Sequence, residues 1–323
     1  MNEPNKPSET RGWDTYWQGT RDKDSYALGG ASHPAITSFW DDTLSQILAS
    51  TTNARILDIA TGSGAVIEKF FHHSTDAQPD ITCVDISDAA IDGVRRRFPA
   101  ITGIVADARS IPLESFRYDL VTSQFGIEYA GLDALDEAAR LIAPGGTLAM
   151  LMHVRPGLIF DECSAALDAV QRTQKAEFVE RALRFFESGF AAVRGADRAP
   201  YDQAASDLNP AIEAVDTILS EHGEHVAGGT IAKLYFDVER IHTRIQTHDP
   251  DEVLEWLRTM VRELADYGER MASMCDAAID EKAFGDAGER LRKHGLTIAQ
   301  GEPLLPVDGV LPVAWALQAV RAG

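Results

Sequence analysis

ILDIATGSGAV, residues 56–66, changes character twice along its length. Ile56, Leu57 and Ile59 form a short apolar run of the kind that makes a buried strand. Thr61, Gly62, Ser63 and Gly64 break that run with a glycine-rich turn, and Ala65 to Phe71 read as a helix beginning where the turn ends. Strand, glycine turn and helix together make the ligand-binding corner of an open α/β sheet. Glycine is suited to such a turn because a side chain would keep the backbone away from a ligand. The helix start adds unpaired N–H groups that favour a polar or anionic ligand group.

Working outward, the apolar run ITCV ends at Asp85, about one βα unit downstream, where a carboxylate at a strand end accepts the two hydroxyls of a ribose. A third strand, ITGIVA, ends in Asp107, and a fourth, YDLVTSQ, follows a proline-containing loop. Asp58, Asp85 and Asp107 therefore converge on one crevice at the carboxyl edge of the sheet. A pyrophosphate is repelled by a third carboxylate there, whereas a cationic sulfonium bearing an amino group, with an adenine N6 donor, is not. A dinucleotide fingerprint would want Gly or Ala at position 67, which is Ile67.

On these motifs the chain resembles the class I S-adenosylmethionine-dependent methyltransferases. DIATGSG matches the first motif of that family, with Ala60 where many members have a further glycine. VDIS (84–87), ADA (106–108), YDLVTSQFGIEY (118–129) and LIAPGGTLAML (141–151) match the motifs that follow, in order. The resemblance covers residues 54–155 and implies a seven-stranded Rossmann-like α/β sheet with S-adenosyl-L-methionine as cofactor. It implies that the loop of Asp58, Ala60, Thr61, Gly62 and Gly64 holds the methionine moiety. Asp85 would take the ribose, Ile86 would pack on adenine, and Asp107 with Ala108 would read the adenine edge. Gln124, beside them at the end of the fourth strand, is counted with the cofactor residues.

Composition is that of an ordinary soluble globular protein: of 323 residues, 45% are hydrophobic and 25% charged. Fifty acidic against thirty basic residues give a formal net charge of −20. Such a field repels nucleic-acid backbones and anionic membrane surfaces. Three scattered cysteines do not make a disulfide framework, no run approaches a membrane span, and the N-terminus has no signal-peptide core. The expected location is cytoplasmic.

Residues 1–10 are expected to be a disordered tail and residues 11–53 a helical lid segment, with a helix over 36–49. Resemblance gives the aromatic cluster WDTYWQG a place over the active site, making Tyr16 and Trp17 substrate candidates alongside Phe125, Glu128 and Tyr129 beyond the fourth strand. His153, just past the fifth strand, is the candidate general base, with Tyr129 and Glu128 as further catalytic candidates. No metal is expected. His72 and His73 are adjacent on a helix and point in different directions, and His222, Glu224 and His225 read as a loose helix end.

Residues 156–293 read as a mainly α-helical insertion between strands 5 and 6, expected to roof the site. Within it Val253, Leu257, Met260, Leu264, Tyr267, Met271 and Met274 fall at heptad spacing, which leaves a homodimer seam open. Two apolar runs in residues 294–323, joined by Pro306, Asp308 and Gly309, supply the last two strands as a hairpin. The expected function is methyl transfer to a small or medium organic acceptor under a helical cap. A protein-modifying methyltransferase and a non-catalytic cofactor-binding scaffold are the alternatives. The acceptor atom, carbon, nitrogen, oxygen or sulfur, is not encoded in these motifs.

Overall fold

The computed structural model describes Trp13 and residues 32–51, 53–73, 80–307 and 309–323. The chain divides into two compact units, residues 1–160 with 276–323, and residues 161–275.

The first unit is built on a seven-stranded sheet in the order β3-β2-β1-β4-β5-β7-β6. Its strands are β1 (Arg55–Ile59), β2 (Asp80–Asp85), β3 (Thr102–Val105), β4 (Tyr118–Gln124), β5 (Ile142–Met152), β6 (Leu296–Leu304) and β7 (Ala314–Arg321). The first five pair in parallel, and β7 runs antiparallel between β5 and β6. Helices α1 (Pro34–Ser50), α2 (Ala65–His73), α3 (Asp88–Arg97) and α4 (Ala134–Leu141) belong to the same unit. Strand order reverses between β1 and β4, so the crevice at their carboxyl ends is the position where an open α/β sheet holds its ligand.

Burial on both faces explains the continuous apolar strands. Along β1, Ile56 packs with Trp40, Phe70, Ile91 and Val94, whereas Leu57 and Ile59 pack with Leu135, Leu148 and Leu317 on the other side. Ser87 caps α3, its hydroxyl accepting from the Ala90 N–H at 3.2 Å, as its position before that helix predicts.

Two boundaries differ from the sequence reading. In the sequence Pro144-Gly145-Gly146 reads as a turn that separates a helix from a strand starting at Thr147, but β5 begins at Ile142 and carries these residues inside it. The register jumps from Tyr118↔Ile142 to Leu120↔Thr147, so the extra residues form a bulge. Gly145 has φ +78°, and a Cβ on Gly146 would lie 2.9 Å from the carbonyl oxygens of Tyr118 and Ala143. Only glycine lets this segment stay in the ladder. The third strand stops at Val105, leaving Asp107 in the loop beyond it.

The second unit is helical: most of α5 (Leu158–Lys175), then α6 (Phe178–Val193), α7 (Ala199–His222), α8 (Thr230–Thr243) and most of α9 (Pro250–Ala277). The Asp249 carboxylate accepts from the N–H groups of Asp251 and Glu252 and caps α9. Of its heptad positions, Val253, Leu257, Leu264, Met271 and Met274 are buried, and Met260 and Tyr267 half-buried. Residues 276–293 group with the sheet instead of the helical unit. There α10 (Glu281–Lys293) buries Phe284, Ala287 and Leu291, and Phe284 stacks on Trp315 at 4.2 Å between ring centroids. Among the described residues, no helix is long and apolar enough to cross a membrane.

Candidate functional site

The loop after β1 is anchored to β2 at both main-chain and side-chain level. Thr61 donates its N–H to the Val84 carbonyl at 3.1 Å. The Asp85 carboxylate receives the Gly62 N–H on one oxygen and the Ser87 N–H on the other, each at 2.9 Å. One buried carboxylate thus ties the glycine loop to the start of α3. Gly62 and Gly64 have φ +52° and +82°, the left-handed conformation that the turn requires.

Behind the loop, Asp58 is 1% exposed. Its oxygens accept from the hydroxyls of Thr61 at 2.6 Å and Thr122 at 2.7 Å. Burial pushes its carboxyl up to about 6, against the two threonine hydrogen bonds, and the neighbouring Asp85 charge adds to the rise. A carboxyl raised in this way keeps its proton in the folded chain where the unfolded chain has already lost it. Its stabilising contribution is therefore present below about pH 4 and is lost as pH rises through 6. Asp58→Asn removes the titration while keeping the shape. The variant should gain stability over the parent as pH rises, the gap approaching about 3 kcal/mol above pH 7 in urea unfolding.

A cavity of about 200 Å³ opens at the carboxyl ends of β1, β2 and β4. Ala60, Gly62, Asp85, Ile86, Asp107, Ala108, Phe125 and Tyr129 border it, as do Trp13, Val84, Ala106, Arg109, Gly126 and Ala130. Eight residues singled out in the sequence thus meet in one place. Asp58, Thr61, Gly64 and Gln124 stand outside the lining. The Gln124 side-chain oxygen accepts instead from the Trp40 indole N–H. Tyr16 and Trp17 lie outside the described residues.

Asp107 is engaged by Arg109. The Arg109 guanidinium meets both carboxylate oxygens, its backbone N–H donates to one of them at 2.8 Å, and the pair holds the Asp107 carboxyl below the usual carboxylate range. Arg109 was not singled out in the sequence. Its signal was the spacing Asp-Ala-Arg just beyond the third strand.

His153, expected to face the crevice, is 0% exposed and does not border the cavity. Its ring Nδ1 lies 2.7 Å from one oxygen of Glu128, and its backbone N–H donates to that same oxygen at 2.8 Å. Phe125 stacks on the imidazole at 4.5 Å, Tyr129 meets it edge-on at 5.7 Å, and Trp13 meets Tyr129 at 5.0 Å. Glu128 and His153 therefore form a buried pair in contact with the aromatic side chains of the cavity. The three catalytic candidates are brought together, but only Tyr129 reaches the lining.

Residues 56–146 match the methyltransferase domain family. The ubiquinone/menaquinone biosynthesis C-methyltransferase UbiE of Cereibacter sphaeroides is 31% identical over 124 residues, covering 36% of this chain and 49% of that protein. The malonyl-[acyl-carrier protein] O-methyltransferase of Enterobacter lignolyticus is 33% identical over 110 residues, covering 33% of this chain and 42% of that protein. The chain spans about half the length of the curated relatives it matches. Among solved structures, the complex between the Haloferax volcanii Trm112 methyltransferase activator and a methyltransferase aligns with TM-score 0.46 and 12% identity, over 96% of this chain and 98% of that one. The glycine loop, the ordered motifs and the family match agree: residues 56–146 match a methyltransferase domain, and together they support the class I S-adenosylmethionine-dependent family.

Proposed function

We propose that the chain transfers the methyl group of S-adenosylmethionine to a small or medium-sized organic acceptor. The observation that carries this reading is the meeting of Gly62, Asp85 and Asp107 on one cavity that Phe125 and Tyr129 also border.

The residues suit the cofactor chemically. The Asp85 carboxylate, at the cavity and held by the Gly62 and Ser87 N–H groups, is an acceptor suited to ribose hydroxyls. Ile86, 36% exposed at the cavity, offers an apolar surface to adenine. Asp58 and Asp85 favour a cationic group near the loop. S-adenosylmethionine, when bound, supplies a methyl group made electrophilic by its positive sulfonium.

The aromatic side chains of Phe125 and Tyr129 suit a planar acceptor and help exclude water. Tyr129 is the catalytic candidate placed to touch it. In this reading Glu128 and His153 are positioning residues that hold Phe125 and Tyr129 in place. The helical insertion follows β5, whose carboxyl end carries His153, and this chain position supports its role as a cap with Tyr16 and Trp17. The names of the two relatives cover a carbon and an oxygen acceptor, and the proposal commits to neither.

Calorimetric titration with S-adenosylhomocysteine tests the cofactor half, and micromolar binding is the expected result. Transfer of labelled methyl groups to a panel of aromatic carbon and oxygen acceptors tests the other half. A folded protein that binds neither S-adenosylmethionine nor S-adenosylhomocysteine overturns the proposal.

A further inference from the structure

A carboxylate offers about four lone-pair directions to hydrogen-bond donors. At Asp107 three N–H groups, all from Arg109, make four contacts across both oxygens. Oδ1 accepts from the Arg109 backbone N–H at 2.8 Å and from Nε at 3.0 Å, while Oδ2 accepts from Nε at 3.1 Å and from Nη2 at 2.5 Å. A ligand amino group that is to be read by Asp107 therefore competes with these donors for the same two oxygens. Two of the three belong to the guanidinium, the part on rotatable bonds.

Moving it is cheap. The two side chains are 57% and 34% exposed, so water screens the pair and resolvates both partners when they part. Arg109 also borders a second cavity, of about 480 Å³, so a displaced guanidinium has a space to enter without crossing the first.

We propose that Arg109 is a latch on Asp107, with which the adenine amino group must compete, and that it thereby sets cofactor affinity and selectivity for a 6-amino purine. The inference rests on the cofactor reading above. Arg109 is a specificity-determining residue whose action runs through Asp107: the latch lowers affinity for every purine whose edge donates to Asp107, and it is indifferent to one that does not.

The test is calorimetric titration of S-adenosylhomocysteine into the full-length parent, Arg109→Ala, Arg109→Lys and the double variant Asp107→Ala/Arg109→Ala, with folding confirmed by circular dichroism. Arg109→Ala should bind roughly two- to fivefold more tightly at low salt, the range of a partly exposed ion pair. Arg109→Lys, with a single donor head, should fall between it and the parent. The ratio should approach one as NaCl rises from about 0.05 M to about 1 M, because screening already weakens the latch in the parent. Adenosine should share the gain, and purine riboside, which lacks the amino group, should not. The double variant should lose the gain.

Weaker binding by Arg109→Ala would mean that the guanidinium holds the ligand itself, and would overturn the latch. Equal binding at low salt would overturn it as well. Binding by neither the parent nor Arg109→Ala would instead remove the cofactor reading, and the latch with it.

Discussion

Asp85→Ala weakens S-adenosylhomocysteine binding by at least a hundredfold while the protein still folds. Two effects add at this residue. In the free protein the carboxylate accepts from Gly62 and Ser87, and so fixes the glycine loop against the start of α3. The same carboxylate, at the cavity wall, is the acceptor assigned to the ribose hydroxyls. Hydrogen bonds to a charged group contribute about 1.5–3 kcal/mol each, so losing a pair costs about 3 kcal/mol or more, which is two orders of magnitude in affinity. Asp85→Asn separates the contributions. It keeps the volume, but its amide nitrogen must face the N–H of either Gly62 or Ser87, leaving one donor unsatisfied in a buried site. The asparagine variant should therefore also bind weakly, with a smaller loss than alanine. Calorimetry for affinity and thermal unfolding for stability, measured on both variants, keep folding and binding apart. A folded Asp85→Ala protein that binds within tenfold of the parent would remove Asp85 from the cofactor site.

The sequence exposes the elements that depend on local pattern. β1, β2 and β4 are buried on both faces, so their apolar runs are short and continuous, and the glycines between β1 and α2 mark the turn. What it hides depends on neighbours in space. Glu128 and His153 are 25 residues apart, and nothing at either position shows that they touch. They meet because β4 and β5 are adjacent and in register, Gln124 opposite Leu151, which carries the residues beyond both strand ends to one place. His153 seemed exposed because it follows a strand. It is buried because Phe125 covers its ring and residues 153–155 stay bonded to Ile279. The assignment of 276–293 has a similar cause. An amphipathic pattern shows that α10 has an apolar face without showing which unit receives it, and that face meets Trp315 of the sheet.

Gly126 is the clearest case of a residue whose role lies in another segment. It was read only as part of the fourth motif, yet a Cβ there would fall 2.5 Å from the Cβ of Ala60 and 2.9 Å from its carbonyl oxygen. The loops after β1 and β4 cross at that point, and both residues border the cavity. Neither loop has slack to give. Ala60 and Phe125 each hold φ +53°, a left-handed conformation uncommon for a residue with a Cβ. Gly126→Ala should therefore cost roughly 2–3 kcal/mol in urea unfolding, at the upper part of the overpacking range. It should also weaken S-adenosylhomocysteine binding about tenfold, since separating the loops moves the cavity wall by a fraction of an ångström. Ala60→Gly is the matching test, because it removes the nearest clashing atom and relieves the left-handed alanine. In the double variant Ala60→Gly/Gly126→Ala, part of the lost stability should return, a coupling of about 1 kcal/mol or more between two touching residues. The return is incomplete because the Ala60 carbonyl oxygen stays in place. Additive losses in the double variant would show that the crossing is looser than these distances require, and that glycine at 126 serves the backbone of its own loop alone.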